Sequence, residues 1–156
     1  MKLFAPAIAA AAVLAAPGLA SAREVTFETT LANYGGDGAY VVIYVTDKSG
    51  AYVGTLWMAG GRSKYYRHLP EWLRASRGRL SEVDGITGAS VGAGRTLKIS
   101  VDLADTIIDG GYEVHVDTAV ENMRENPGDV VVPLTSDGNG KPVGGRGYVK
   151  SFTYSF

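Results

Sequence analysis

The chain has 156 residues and no cysteine. That excludes disulfide staples, thiol redox chemistry, thiolate-held clusters and the C-x-x-C-H attachment of haem. It has two histidines, His68 and His115, far apart in sequence. A metal or haem site would therefore need carboxylates from separate strands beside them. It has no surplus of charge: 15 basic residues face 16 acidic ones. Such a balance gives no global reason to bind nucleic acid. It shows no Ser/His/Asp triad and no nucleophile elbow, and nothing in it puts two carboxylates in one cleft. A stand-alone catalyst is disfavoured, and a redox role would need an acquired cofactor. Long apolar runs are missing except at the N-terminus. There Lys2 precedes an Ala-rich stretch over 3–19 containing Pro6 and Pro17, and Ala20-Ser21-Ala22 follows as a small-residue cleavage site. This reads as a secretory signal, 1–22, cleaved after Ala22. It is too short and too Ala-rich for a stable membrane span. The remaining 23–156 are long enough for one domain with its own core.

What is present is period-two alternation rich in β-branched and aromatic residues. Strands are expected over 25–31, 40–46, 52–58, 96–103, 112–120, 130–134 and 148–156. The apolar run over 40–46 points to a central, buried strand. Asp47-Lys48-Ser49-Gly50 and Asp109-Gly110-Gly111 read as hairpin turns. Residues 122–129 read as a polar loop. Pro133 argues for an edge strand. One segment differs: Tyr66, Leu69, Trp72 and Leu73 recur at helical spacing, with Pro70 suited to a first turn. A short helix near 70–76 should cover one end of the core. The architecture expected is an all-β, antiparallel, immunoglobulin-like β-sandwich with one short helix; a small barrel is the alternative.

Asp84-Gly85-Ile86-Thr87-Gly88-Ala89-Ser90 has the form D-x-x-[ST]-G-A-[ST]. It resembles the acceptor motif for covalent flavin mononucleotide (FMN), in which a transferase joins the FMN phosphate to the last hydroxyl. Ser90 stands at that position. The small residues Gly88 and Ala89 would let a second protein's active site approach the backbone. Gly85 and Gly88 allow positive φ, so the segment could be an exposed turn. Asp84 could cap that turn or help a transferase hold its metal and substrate. The bland alternative is an ordinary Asp-Gly turn in a Gly-rich loop.

Other patterns carry less. Glu113, His115 and Asp117 share one strand face, which reads as a solvent-facing stripe rather than a metal site. Asp137-Gly138-Asn139-Gly140 lacks the frame of a calcium loop and reads as a turn. Arg62, Lys64, Arg67, His68, Arg74, Arg77 and Arg79 form a basic segment. It reads as a solvated face, or as a docking patch for an acidic partner or a phosphate. Tyr65, Tyr66 and Trp72 read as core, with stacking on a flavin as the alternative.

Several stretches in order carry a family resemblance. They are 40–47 with 50–56, the Leu-Pro-x-Trp region over 64–76, the Asp84-to-Ser90 motif, and 111–121. On these the chain resembles domain of unknown function 2271, a family of predicted periplasmic proteins. The resemblance implies a periplasmic location. It also implies partners among flavin transferases and PepSY-type or other membrane redox proteins, in iron or respiratory electron transfer. The function expected is a periplasmic redox carrier with FMN on Ser90 and a recognition loop of Asp84, Gly85, Thr87, Gly88 and Ala89. The alternative is a cofactor-free interaction module in which the 62–79 segment docks a PepSY-type or metal-uptake membrane protein.

Overall fold

The computed structural model describes residues 21–156. The signal-segment expectation therefore lies almost entirely outside the described residues. Eight strands form two sheets: β1 (Ala22–Leu31), β2 (Tyr40–Thr46), β3 (Tyr52–Ala59), β4 (Thr87–Gly88), β5 (Thr96–Ala104), β6 (Glu113–Ala119), β7 (Asn126–Pro133) and β8 (Val149–Ser155). One sheet has the order β5-β1-β8, the other β4-β3-β2-β6-β7. The expected all-β sandwich is present.

Its topology is immunoglobulin-like in a specific way. The run β3-β2-β6-β7 has the order C′-C-F-G of an immunoglobulin sheet, and β1 and β5 pair as B and E do. The place beside B that an immunoglobulin gives to its first strand is taken here by β8, the last strand, antiparallel to β1. The alternation along β1 explains its role: Val25, Phe27, Thr29 and Leu31 point inward and are buried. They meet Ile99, Val101 and Leu103 of β5 and Phe152 and Tyr154 of β8 in one core with Val41, Ile43 and Val45 of β2. As its unbroken apolar run implied, β2 sits in the middle of the larger sheet, and both its faces are covered. β7, with Pro133, is at an edge.

The second face of β2 meets a second core. Val42, Tyr44 and Met58 pack against Tyr66, Leu69, Trp72, Val83 and Ile86. These come from a helical excursion: a 3-10 turn (Ser63–His68), helix α1 (Pro70–Ala75) and a second 3-10 turn (Leu80–Val83). The excursion therefore roofs a sheet face instead of plugging an end of the core. The reason is that β2 has apolar residues on both sides, so the outer side needs its own cover.

Three further expectations are corrected. Asp109-Gly110-Gly111 is no hairpin, because β5 and β6 belong to different sheets. The turn carries the chain across the sandwich after Ile107 and Ile108 enter the core. Asp109 takes φ of 61° there, and its carboxylate accepts the Ser136 N–H at 2.8 Å. β7 starts at Asn126, inside the expected loop. Its register against β6 shifts between Val116 and Thr118, where Asp117 accepts the Gly128 N–H at 2.8 Å. Finally, one pairing is parallel: β4 runs alongside β3.

Candidate functional site

The Asp84-to-Ser90 motif lies at the edge of the larger sheet, and its middle is a strand rather than a free turn. Ile86 is buried; Asp84, Gly85, Thr87, Ala89 and Ser90 are exposed. The backbone is pinned on both sides. Met58 N–H donates to Ile86 O at 2.9 Å, Gly60 N–H to Gly88 O at 2.8 Å, and Val91 N–H to Ala39 O at 2.9 Å. Gly85 has φ of 80°, as its position in a turn suggested. Gly88 has no such φ. It is needed for space: a Cβ there would fall 2.7 Å from Trp57 Cζ2. Trp57 Nε1 beside it is buried without a hydrogen-bond partner.

The two hydroxyls of the motif are not equivalent. Thr87 Oγ1 donates to Val83 O at 2.7 Å and is engaged in the fold. Ser90 Oγ makes no hydrogen bond among the described residues and faces solvent. The Asp84 side chain makes no hydrogen bond among the described residues. The turn is closed by backbone bonds instead, from Asp84 N–H to Ser81 O and from Ile86 N–H to Val83 O, both 3.1 Å. Its carboxylate is exposed to whatever approaches.

The motif stands between two depressions. Asp84, Gly85 and Thr87 line a shallow one of about 520 Å³ together with Ser63, Tyr66 and Leu80. At the other end Ser90 lies against Gly38, so closely that a Cβ on Gly38 would fall 2.6 Å from Ser90 Oγ. Gly38 lines a deeper cleft of about 420 Å³, with Tyr40, Tyr65, Arg67, His68, Met123 and Glu125 among its walls. That volume lies in the range of small-molecule sites, roughly 300–1,000 Å³. Tyr40 and Tyr65 meet edge to face with centroids 5.6 Å apart. Tyr40 lies flat against Gly60, and its hydroxyl accepts the Arg62 N–H at 3.1 Å. His68 Nδ1 lies 2.8 Å from Glu125 Oε1.

The three aromatic residues near the motif divide. Tyr66 and Trp72 are buried in the second core, edge to face at 5.6 Å. Tyr65 is the one that reaches the cleft. The cleft residues Gly38 and Met123 carried no sequence pattern of their own. The glycine run Gly35-Gly36, Gly38 was the only available signal, and it reads equally as a loop.

Of the Glu113/His115/Asp117 stripe, Asp117 lies under the helical roof, and Glu113 and His115 are only partly exposed. Asp117 is fully buried and holds α1 in place: its Oδ2 accepts the Trp72 N–H at 3.2 Å and lies 3.3 Å from the Tyr44 hydroxyl that donates to it. Burial pushes its carboxyl up to about 6, against the hydrogen bonds from Gly128 and Trp72 that pull it down. His115 stacks on Tyr44 at 4.9 Å, and its Nε2 lies 3.0 Å from Thr46 Oγ1. Burial pushes its imidazole below the ordinary value. Among the described residues no three His, Cys, Asp or Glu side chains cluster as metal ligands would. The basic segment lies on the outside of the roof. Arg62, Lys64, Arg67, Arg74 and Arg77 are exposed and have no carboxylate partner among the described residues, whereas Arg79 pairs with Glu82 at 3.0 Å and His68 with Glu125 at 2.8 Å.

No curated protein and no solved structure matches the chain. A family model matches over residues 22–151, and on that match the chain belongs to domain of unknown function 2271, described as a predicted periplasmic protein.

Proposed function

We propose that this protein is a periplasmic carrier with FMN esterified to Ser90, serving extracytoplasmic electron transfer. The observation that carries the reading is the exposed Ser90 hydroxyl, without a partner among the described residues and set against Gly38 of an aromatic-lined cleft. In the attachment, Ser90 Oγ–H gives up its proton and gains a bond to the flavin phosphate. The donor's own bond to that phosphorus breaks, so the flavin donor must carry a leaving group there. Asp84 presents a carboxylate to the transferase, Gly85 and Ala89 keep the approach free of bulk, and Gly88 lets the loop lie against Trp57. Thr87 is held by Val83 and supports the loop. When bound, FMN supplies the electron chemistry; the protein supplies tether, orientation and field.

The test is the intact mass of the protein after export from a host with an active flavin transferase, measured under denaturing conditions. The expected result is a gain of one FMN less one water, on the peptide holding Ser90, and no gain for Ser90→Ala. An unmodified mass, with a control substrate modified in the same cells, would sink the reading.

A second reading rests on the roof. Five exposed cations without carboxylate partners among the described residues face outward on one layer. A cofactor-free module could use them to dock an acidic face of a PepSY-type or metal-uptake membrane protein. It predicts binding that weakens steeply with salt and persists in Ser90→Ala.

A further inference from the structure

The cleft beside Ser90 is formed by three separate segments. They are the loop before β2, the first 3-10 turn (Ser63–His68), and the turn after β6. Its walls combine flat aromatic surface with polar groups. Tyr40 is immobilised, with its face on Gly60 and its hydroxyl bound to the Arg62 N–H. Tyr65 is partly exposed and edge-on to Tyr40, with Lys64 Nζ 4.9 Å from its centroid. Met123, 38% exposed, adds an apolar and adaptable side chain. Arg67 brings guanidinium N–H donors to the same walls, with its Nε donating to His68 Nε2 at 3.4 Å and His68 Nδ1 bound to Glu125; Asp37 and Glu121 add carboxylates. Gly38 is the join: it lines the cleft and touches Ser90.

We infer that this cleft is the seat for the planar ring system of the flavin tethered at Ser90. The inference rests on the reading of Ser90 as the acceptor. The chemistry matches on each side. An isoalloxazine has an apolar dimethylbenzene end and a pyrimidine end rich in carbonyl oxygens. Tyr40, Tyr65 and Met123 suit the first, and the Arg67 guanidinium, positioned by His68, suits the second. Arg67 favours negative charge at the pyrimidine end and so raises the reduction potential against the opposing carboxylates of Asp37, Glu121 and Glu125 in the same lining. Gly38 is required because any side chain at that position would wedge between the cleft and Ser90.

The experiment separates the ring site from the attachment. Riboflavin, which has the ring but no phosphate, is titrated into Ser90→Ala protein and its fluorescence followed. Saturable quenching is expected. Tyr65→Ala added to that background should weaken it about tenfold, the scale of one lost stacking partner. Arg67→Ala, at an exposed position, serves as a second variant with little risk to the fold. In the covalently loaded protein, Tyr65→Ala should raise flavin emission severalfold, and Arg67→Ala should lower the reduction potential. Mass gain at Ser90 without quenching, and with emission unchanged by Tyr65→Ala and potential unchanged by Arg67→Ala, would overturn the cleft and leave the attachment intact. Saturable riboflavin binding that is sensitive to Tyr65, with no mass gain, would support the cleft and refute Ser90 as acceptor.

Discussion

At the scale of single residues, two pairs repay comparison. Thr87 and Ser90 are both hydroxyls in one motif, yet only Thr87 is spent on the fold. Ser90→Ala should therefore abolish modification while moving the free energy of unfolding by no more than about 0.5 kcal/mol. Thr87→Val should do the reverse, costing about 1 kcal/mol in urea denaturation while the mass gain remains. The second pair is Asp84 and Asp117, alike in sequence as acidic residues among apolar ones. Asp84 is exposed, whereas Asp117 is the buried anchor of α1. In the unfolded chain the Asp117 carboxyl ionises near 3.8; in the folded protein it does so near 6. Between those values the folded state keeps a proton that the unfolded state has released. Stability from this group therefore falls as pH rises from about 4 to about 6 and levels off above. Asp117→Asn should flatten that slope in urea midpoints taken across the same range. It should also cost about 1–3 kcal/mol, because a carboxamide has one acceptor oxygen for two backbone N–H groups. A period-two pattern does not report which face of a strand is roofed, so the stripe of Glu113, His115 and Asp117 looked solvent-facing in sequence.

At the scale of elements, the roof is the part that depends most on others. α1 has six residues, no side-chain cap of its own and Pro70 at its start. A helix that short is not stable alone. Trp72 ties it down: fully buried, it donates from Nε1 to Thr55 Oγ1 at 2.9 Å. Trp72→Ala should cost about 3–5 kcal/mol and lower the thermal midpoint. The edge strand β4 has a different weak point. Gly88→Ala would drive a methyl into Trp57 and should cost about 1–3 kcal/mol, with the motif displaced and modification slowed. The helix itself was legible, since Pro70 and the spacing of Tyr66, Leu69 and Trp72 mark it. Its place over a sheet face was not, because that follows from β2 being apolar on both sides and from which strands flank it. The parallel β3–β4 pair was invisible for a related reason: two residues carry no periodicity.

For the whole molecule, most strands were legible from alternation, and the sandwich followed from them. The sheet assignments were not. Asp109-Gly110-Gly111 has hairpin composition, but long-range partners decided that β5 joins β1 and β6 joins β2. The same holds for the cleft, whose walls come from three distant segments. One residue stitches the two sheets together: Asp129 of β7 is buried and accepts from Thr118 Oγ1 and from the backbone N–H groups of Gly147, Tyr148 and Val149 at the head of β8. Asp129→Ala leaves four donors short of an acceptor and should cost about 3 kcal/mol or more, read as a drop in the urea midpoint.

The position of β8 has a consequence in time. The larger sheet is built from a contiguous stretch, β2 to β7 with only β5 looped out, and can form on its own schedule. The smaller sheet cannot. Its central strand, β1, pairs with a strand far along the chain, Thr26 opposite Ser155 and Phe27 opposite Tyr154. Closing so long a loop is slow, and folding dominated by such pairings takes milliseconds to seconds. The smaller sheet is therefore completed after the larger one, and β1 has only β5 beside it until β8 docks.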